Sequence, residues 1–126
     1  MAKDAKKPAP TVNLRAKLDR IGDYWKPKII AELNDSYVKL VKLKGEFVWH
    51  HHAGEDELFH VLKGRLRIDL PDGPIHLREG ELAVIPRGTE HRPVADEEVH
   101  VLLLEAKSTV NTGQVRSERT VDAEWI

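Results

Sequence analysis

Glycine cuts the body of this chain into short β-prone runs, and that punctuation rules out most folds. Gly45, Gly54, Gly64, Gly73, Gly80 and Gly88 recur across the middle of the sequence. Around them lie residues 28–33, 37–43, 46–51, 57–62, 65–70, 75–77, 82–85 and 99–104, each reading as a strand. Parallel neighbours need crossovers of a dozen or more residues, usually helical, and the intervals here are too short for them. The expected fold class is therefore all-β, an antiparallel sandwich or barrel. Leu66, Ile68 and Leu70 alternate with Arg65, Arg67 and Asp69. That period of two puts one face in a core and the other in water.

Ahead of the strands, Asn13 is placed to cap a short helix carrying Leu14, Leu18 and Ile21 on one side and ending near Gly22. Its apolar stripe must cover the outside of a sheet or a partner subunit. Residues 1–11, rich in Lys, Ala and Pro, read as a disordered arm, and 12–126 as a single barrel domain with one core. The polar tail after Lys107 ends in Trp125 and Ile126, which points to a tail tied back onto the body.

Twenty Lys and Arg against 21 Asp and Glu give a net charge of -1, so the concentrated positive face that nucleic acid requires is not expected. Cysteine is absent, which excludes disulfides, thiolate nucleophiles and thiolate ligands. The charged start has no signal-peptide pattern, and no apolar run approaches the ~20 residues of a membrane helix. A cytoplasmic protein without nucleic-acid or membrane partners is the expectation.

The histidines carry the chemistry. In Trp49-His50-His51-His52, strand alternation puts His50 and His52 on one face and His51 on the other. Glu57 follows the Ala53-Gly54 turn and shares its face with Phe59 and Val61, so its carboxylate sits at the edge of an apolar interior. A buried carboxylate there needs a partner or a metal. Glu55 and Asp56 remain alternatives on composition alone. The turn Pro86-Arg87-Gly88-Thr89-Glu90 delivers His91 to the start of another strand. Three imidazoles and a carboxylate suit one divalent transition metal ion, whether Zn, Mn, Fe, Ni, Co or Cu. His60, His76 and His100 read as surface or packed histidines, and Trp49 and Phe59 as core.

These residues resemble the cupin superfamily, in particular its small single-domain members. Its first motif, a glycine, His-x-His, a glutamate and a later glycine, falls on Gly45, His50, His52, Glu57 and Gly64. Its second falls on Gly80, Pro86, Gly88 and His91. Gly45 stands one residue closer to the pair than usual, and Ala95 replaces an asparagine that is not a ligand. The resemblance implies a jelly-roll barrel (a double-stranded β-helix) with His50, His52, Glu57 and His91 around a metal in its mouth, and often a homodimer. It also places the glutamate at Glu57 rather than in the turn.

Relatives of this kind include isomerases, dioxygenases, decarboxylases and lyases, some labelled mannose-6-phosphate-isomerase-like. The expected function is a metal-dependent enzyme acting on a small polar molecule, by an isomerase, dioxygenase or lyase type of reaction. The alternative is a non-catalytic ligand-binding or sensor protein. Tyr37, His51 and Arg92 are the candidates for moving a proton. Arg67 and Arg92 are candidates for holding an anionic group.

Overall fold

The computed structural model describes residues 10–126. Nine of the eleven residues of the expected arm lie outside them. Asn13 caps helix α1 (Leu14–Leu18), its side chain accepting a hydrogen bond from the Ala16 N–H. The helix is shorter than expected and passes through a turn to Ile21, whose N–H donates to the Leu18 carbonyl. Eight strands follow: β1 (Lys28–Leu33), β2 (Ser36–Glu46), β3 (Glu57–Lys63), β4 (Leu66–Asp69), β5 (Ile75–Leu77), β6 (Leu82–Ile85), β7 (Arg92–Ala106) and β8 (Glu124–Trp125).

Strand β7 organises the rest. Its first residues pair with β4, and its second half lies between β2 and β3, so both layers of the jelly roll hydrogen-bond to one strand. The chain can turn between layers because Asp96, Glu97 and Glu98 are exposed at the bend. The sequence expectation started this strand at residue 99, whereas it begins at Arg92. Pro93 supplies no N–H, but its carbonyl still accepts from Phe47 N–H at 3.0 Å. Every strand pair is antiparallel except β1 with β8, which is parallel. That exception is the tied-back tail, and Ile126 N–H extends it by donating to the Ile29 carbonyl.

Alternation decides what the barrel encloses. Val41, Leu43, Phe59, Val61, Leu66, Ile68, Val99, Val101 and Leu103 face inward and form one core. Outside, α1 lays Leu18 and Ile21 over Ile30 and Leu40, so the helix stripe covers a sheet face. Gly64 is required where it stands. Its φ is +88°, and a Cβ there would come within 2.9 Å of the Glu98 carbonyl oxygen. Two expectations need correction. Residues 47–49 form no strand, because Phe47 turns in onto Trp25 (4.8 Å between stacked rings) and breaks the pleat. Trp49 is exposed rather than core, with the Arg92 guanidinium 5.4 Å over its ring.

One sheet face stays open. Leu58 on β3 is in register with Val84 on β6 and Leu104 on β7, and Leu82 (55% exposed) and Val84 (50%) lie along it. A second copy of the chain would cover this apolar row. Sedimentation at low micromolar concentration should give about twice 14.3 kDa. The double substitution Leu82→Lys and Val84→Glu should give the monomer mass.

Candidate metal centre

Two loops, rather than two regular strands, carry the histidines. His50 and His91 exchange backbone hydrogen bonds of 3.0 and 2.9 Å, a single bridge that pins the first motif to the second. The Gly88 N–H donates to the His52 carbonyl at 2.8 Å and brings the Pro86–Gly88 turn alongside. His50 and His52 are both buried, with half-buried His51 between them, although no ladder continues through them. From the other side comes the tail: Gln114 Oε1 accepts the His51 N–H at 2.8 Å. Gly113, at φ +58°, packs so closely that a Cβ would overlap the His51 carbonyl.

The result is a buried cluster of His50, His52, Glu57 and His91 whose donor atoms all lie within 4.8 Å of one another. Glu57 Oε1 is 3.3 Å from both His52 Nε2 and His91 Nε2. His50 Nδ1–H donates to the Val48 carbonyl and His91 Nδ1–H to the Thr89 carbonyl, each at 2.8 Å. Those bonds fix the tautomers and leave Nε2 of each ring as a lone pair aimed into the cluster. Buried His52 makes no ring hydrogen bond at all. A buried ring nitrogen without a partner, facing a carboxylate and two oriented imidazoles, is what a ligand position requires. The donor set fits a divalent transition metal ion.

Electrostatics prepares the same state. Burial, reinforced by repulsion from His91, pushes His50 down to about 4, so its ring is neutral at pH 7. Burial alone would raise Glu57, but the favourable interactions of its carboxylate with Glu105, His52 and His91 outweigh it and hold the carboxyl well below its usual range. Glu105 moves the other way: burial, then the negative charge of Glu57, push it well up against the pull of Lys39.

The structure brings Glu57 into the cluster and leaves its acidic neighbours outside. Glu55 accepts from Ser108, and Asp56 accepts the Arg87 N–H. The three proton-transfer candidates stand elsewhere. Tyr37 meets Trp125 edge-on at 5.8 Å and lines a separate cavity of about 280 Å3 together with Lys39 and Thr109. His51 is half-buried, 3.6 Å from Glu90. Arg92 is bound to Asp69 at 2.8 Å, as is Arg67, so both guanidinium groups are engaged. A cavity of about 40 Å3 opens directly on His50 and Glu57, walled by Trp25, Val41, Leu43, Phe47, Phe59 and Leu103, with the Asn111 amide beside them.

Several of these residues escaped sequence reasoning. Lys39 and Glu105 occupy inward positions of β2 and β7, sharing parity with Val41 and with Leu103. A charge at an inward position of an apolar alternation was the available signal. Asn111 had none, because its segment has no periodicity. It is held by the tail, with Nδ2 donating to the Arg119 carbonyl and Oδ1 accepting the Val121 N–H.

The Cupin domain family matches residues 38–106 of the chain. A cupin-2 domain protein of Shewanella frigidimarina is 46% identical, with a TM-score of 0.75, and the match covers 75% of this chain and 93% of that one. A Neisseria meningitidis protein of known structure is 36% identical, with a TM-score of 0.71, covering 77% of this chain and 99% of that one. The uncharacterized protein YdbB of Bacillus subtilis is 47% identical over 64 residues, 50% of this chain and 57% of that protein. The chain thus spans little more than half the length of the curated relatives it matches. A hydroquinone 1,2-dioxygenase and a sugar phosphate isomerase, at 15% and 24% identity, share the fold alone.

Two outcomes test the centre. Replacing His50, His52 or His91 by Ala, or Glu57 by Gln, should weaken metal binding at least ~10-fold. His51→Ala, Glu55→Gln and Asp56→Asn should stay near wild type in metal content by elemental analysis. The second concerns pH. A folded-state His50 at about 4 against an ordinary 6.5 means the unfolded chain binds the extra proton between those values. Stability of the metal-free protein should therefore fall as pH drops from 6.5 to 4, by roughly 3 kcal/mol from this group. Glu57 adds a loss below its ordinary value, whereas the raised Glu105 contributes stability that is lost as pH rises. Glu105 therefore opposes the His50 slope above its ordinary value, while Glu57 acts only below its own. The His50 contribution is read as a difference: in urea titrations, acidification from pH 6.5 to 4 should cost wild type more stability than His50→Ala.

Proposed function

Because the chain belongs to the cupin family, we propose that it is a metal-dependent enzyme of the dioxygenase type. Its substrate would be a small, largely apolar molecule that presents one or two oxygen atoms to the ion. The observation that carries this reading is the lining of the cavity on His50 and Glu57, which is aromatic and aliphatic apart from Asn111. Fold alone selects no reaction, so the argument rests on these walls.

A sugar or sugar phosphate needs hydroxyl and anion partners around it, and the arginines that could serve are bound to Asp69. Isomerisation by proton transfer needs a base next to the substrate carbon. Of Tyr37, His51 and Arg92, none lines the cavity on His50 and Glu57, and Tyr37 lines only the neighbouring one. Four protein ligands leave one or two positions on a five- or six-coordinate ion, and a redox-active ion bound there would supply the route for dioxygen to react with a coordinated substrate. In the overall reaction both atoms of dioxygen enter the product, and the substrate supplies the four electrons. The chain's own residues prepare this. His50 and His91 present Nε2 atoms to the cluster, Glu57 contributes the negative charge, and Phe47, Phe59 and Leu103 wall the cavity.

A cavity of about 40 Å3 is well below the size of an ordinary ligand pocket, so substrate entry must move a wall. Pro27 and Asn111 line both this cavity and the larger one of about 280 Å3 beside Tyr37. Displacing the Asn111 segment would join them.

Protein loaded in turn with Fe2+, Mn2+, Co2+, Ni2+, Cu2+ and Zn2+ should be assayed for oxygen uptake with a panel of small enols and phenols. At least one redox-active ion should give uptake matching substrate loss one to one, and Glu57→Gln should abolish it. Saturable binding without turnover for every ion would favour a ligand-binding module. Solvent-proton exchange without oxygen uptake would favour an isomerase.

A further inference from the structure

Behind the carboxylate of the metal cluster lies a second one. Glu105 on β7 stands directly across from Glu57 on β3 in the antiparallel register, and both are buried. Side chains paired in this way lie ~4.5–5.5 Å apart at Cβ on one face. An ion held by Glu57 therefore has two carboxyl groups within reach, and something must decide which one faces it. The next strand over supplies the answer. Lys39 on β2 extends its ammonium to Glu105 Oε1 at 2.8 Å, with the two side chains only 5% and 2% exposed. Lys39 is in register with Leu103, so its ammonium reaches diagonally to Glu105, which itself stands across from Glu57; the three lie on neighbouring strands, β2, β7 and β3.

Burying a lysine is unfavourable unless the pair it forms is well placed, and hydrophobic replacements of such pairs are often neutral or stabilising. Nothing in the packing of this barrel demands a charge at position 39, since Val41 and Leu43 fill the same face of the strand. We infer that Lys39 and Glu105 are positioning residues of the metal centre: the ammonium holds Glu105 away from the ion and so leaves Glu57 as the single carboxylate ligand. This rests on the metal-centre reading above. Neither Lys39 nor Glu105 belongs to the four-residue donor cluster. They set the identity of the ligand and the charge of the site through Glu57.

The test is Co2+ binding followed by visible absorption, because the ligand-field bands report the number and kind of ligands. Lys39→Met releases Glu105. The variant should bind Co2+ about tenfold more tightly than wild type and show shifted bands of altered intensity. The double variant Lys39→Met/Glu105→Gln removes the released carboxylate and should return the wild-type spectrum, with affinity within about threefold. Glu105→Gln alone, which keeps a hydrogen-bond acceptor for Lys39, should also keep the wild-type spectrum. A merely structural role predicts the opposite pattern: weaker binding in Lys39→Met, unchanged bands, and no return in the double variant. Those results would overturn the proposal, as would a Glu105→Gln spectrum resembling that of Glu57→Gln. Should Lys39→Met not fold, the Glu105→Gln and double variants decide by the same spectra. Wild-type protein that binds no Co2+ would instead remove the metal-centre reading itself.

Discussion

Glu57 and three imidazoles sit where a barrel core would otherwise close in hydrocarbon, and dehydrating them is the constraint to which the surrounding structure answers. An isolated carboxylate taken out of water costs several kcal/mol. Here it is met by His52 and His91 at 3.3 Å. The imidazoles are in turn oriented by carbonyls of the loops that carry them, and those loops are held by the His50–His91 bridge. Each layer of support is polar only toward the cluster. Around it Phe59, Val61, Val101 and Leu103 complete an ordinary apolar interior. Lys39 and Glu105 extend the polar line by two more strands, to the wall of the cavity beside Tyr37.

The outside of the barrel is divided between a covered and an uncovered face. Helix α1 is short, and five residues alone would not hold a helix in water. It persists because Asn13 caps it and because Leu18 and Ile21 bury against Ile30 and Leu40. The tail secures the same region, as Lys17 Nζ donates to the Ile126 carbonyl at 2.7 Å. Helix and tail thus support each other over β1 and β2, leaving the Leu58–Val84–Leu104 row to other company.

Features governed by local parity were legible in the sequence. Glu57 could be placed inward because Phe59 and Val61 share its parity, and Leu66 and Ile68 announced their strand by alternation. His50 and His52 were read as same-face partners on a strand that does not exist. The two are buried together all the same, with half-buried His51 between them. Features governed by distant contacts were not legible. Trp49 reads as core by type, yet Phe47 takes the inward place against Trp25. The bend that lets β7 serve two layers is disguised by Pro93 and three acidic residues. Asn111 reaches the cavity through a tail whose shape depends on hydrogen bonds to Arg119 and Val121. A lysine and a glutamate at inward positions were visible, but their meaning required knowing that β2, β7 and β3 lie side by side.

The bridge between His50 and His91 joins positions separated by nearly a third of the chain. No partly folded segment can offer all four donors at once, since the first motif holds three and the fourth arrives only when the second motif docks. Contacts of such long range form late and slowly in β proteins. Complete coordination therefore follows folding rather than nucleating it. The ion acquired is then governed by what the surrounding solution supplies when the barrel closes, as much as by the intrinsic ranking of affinities.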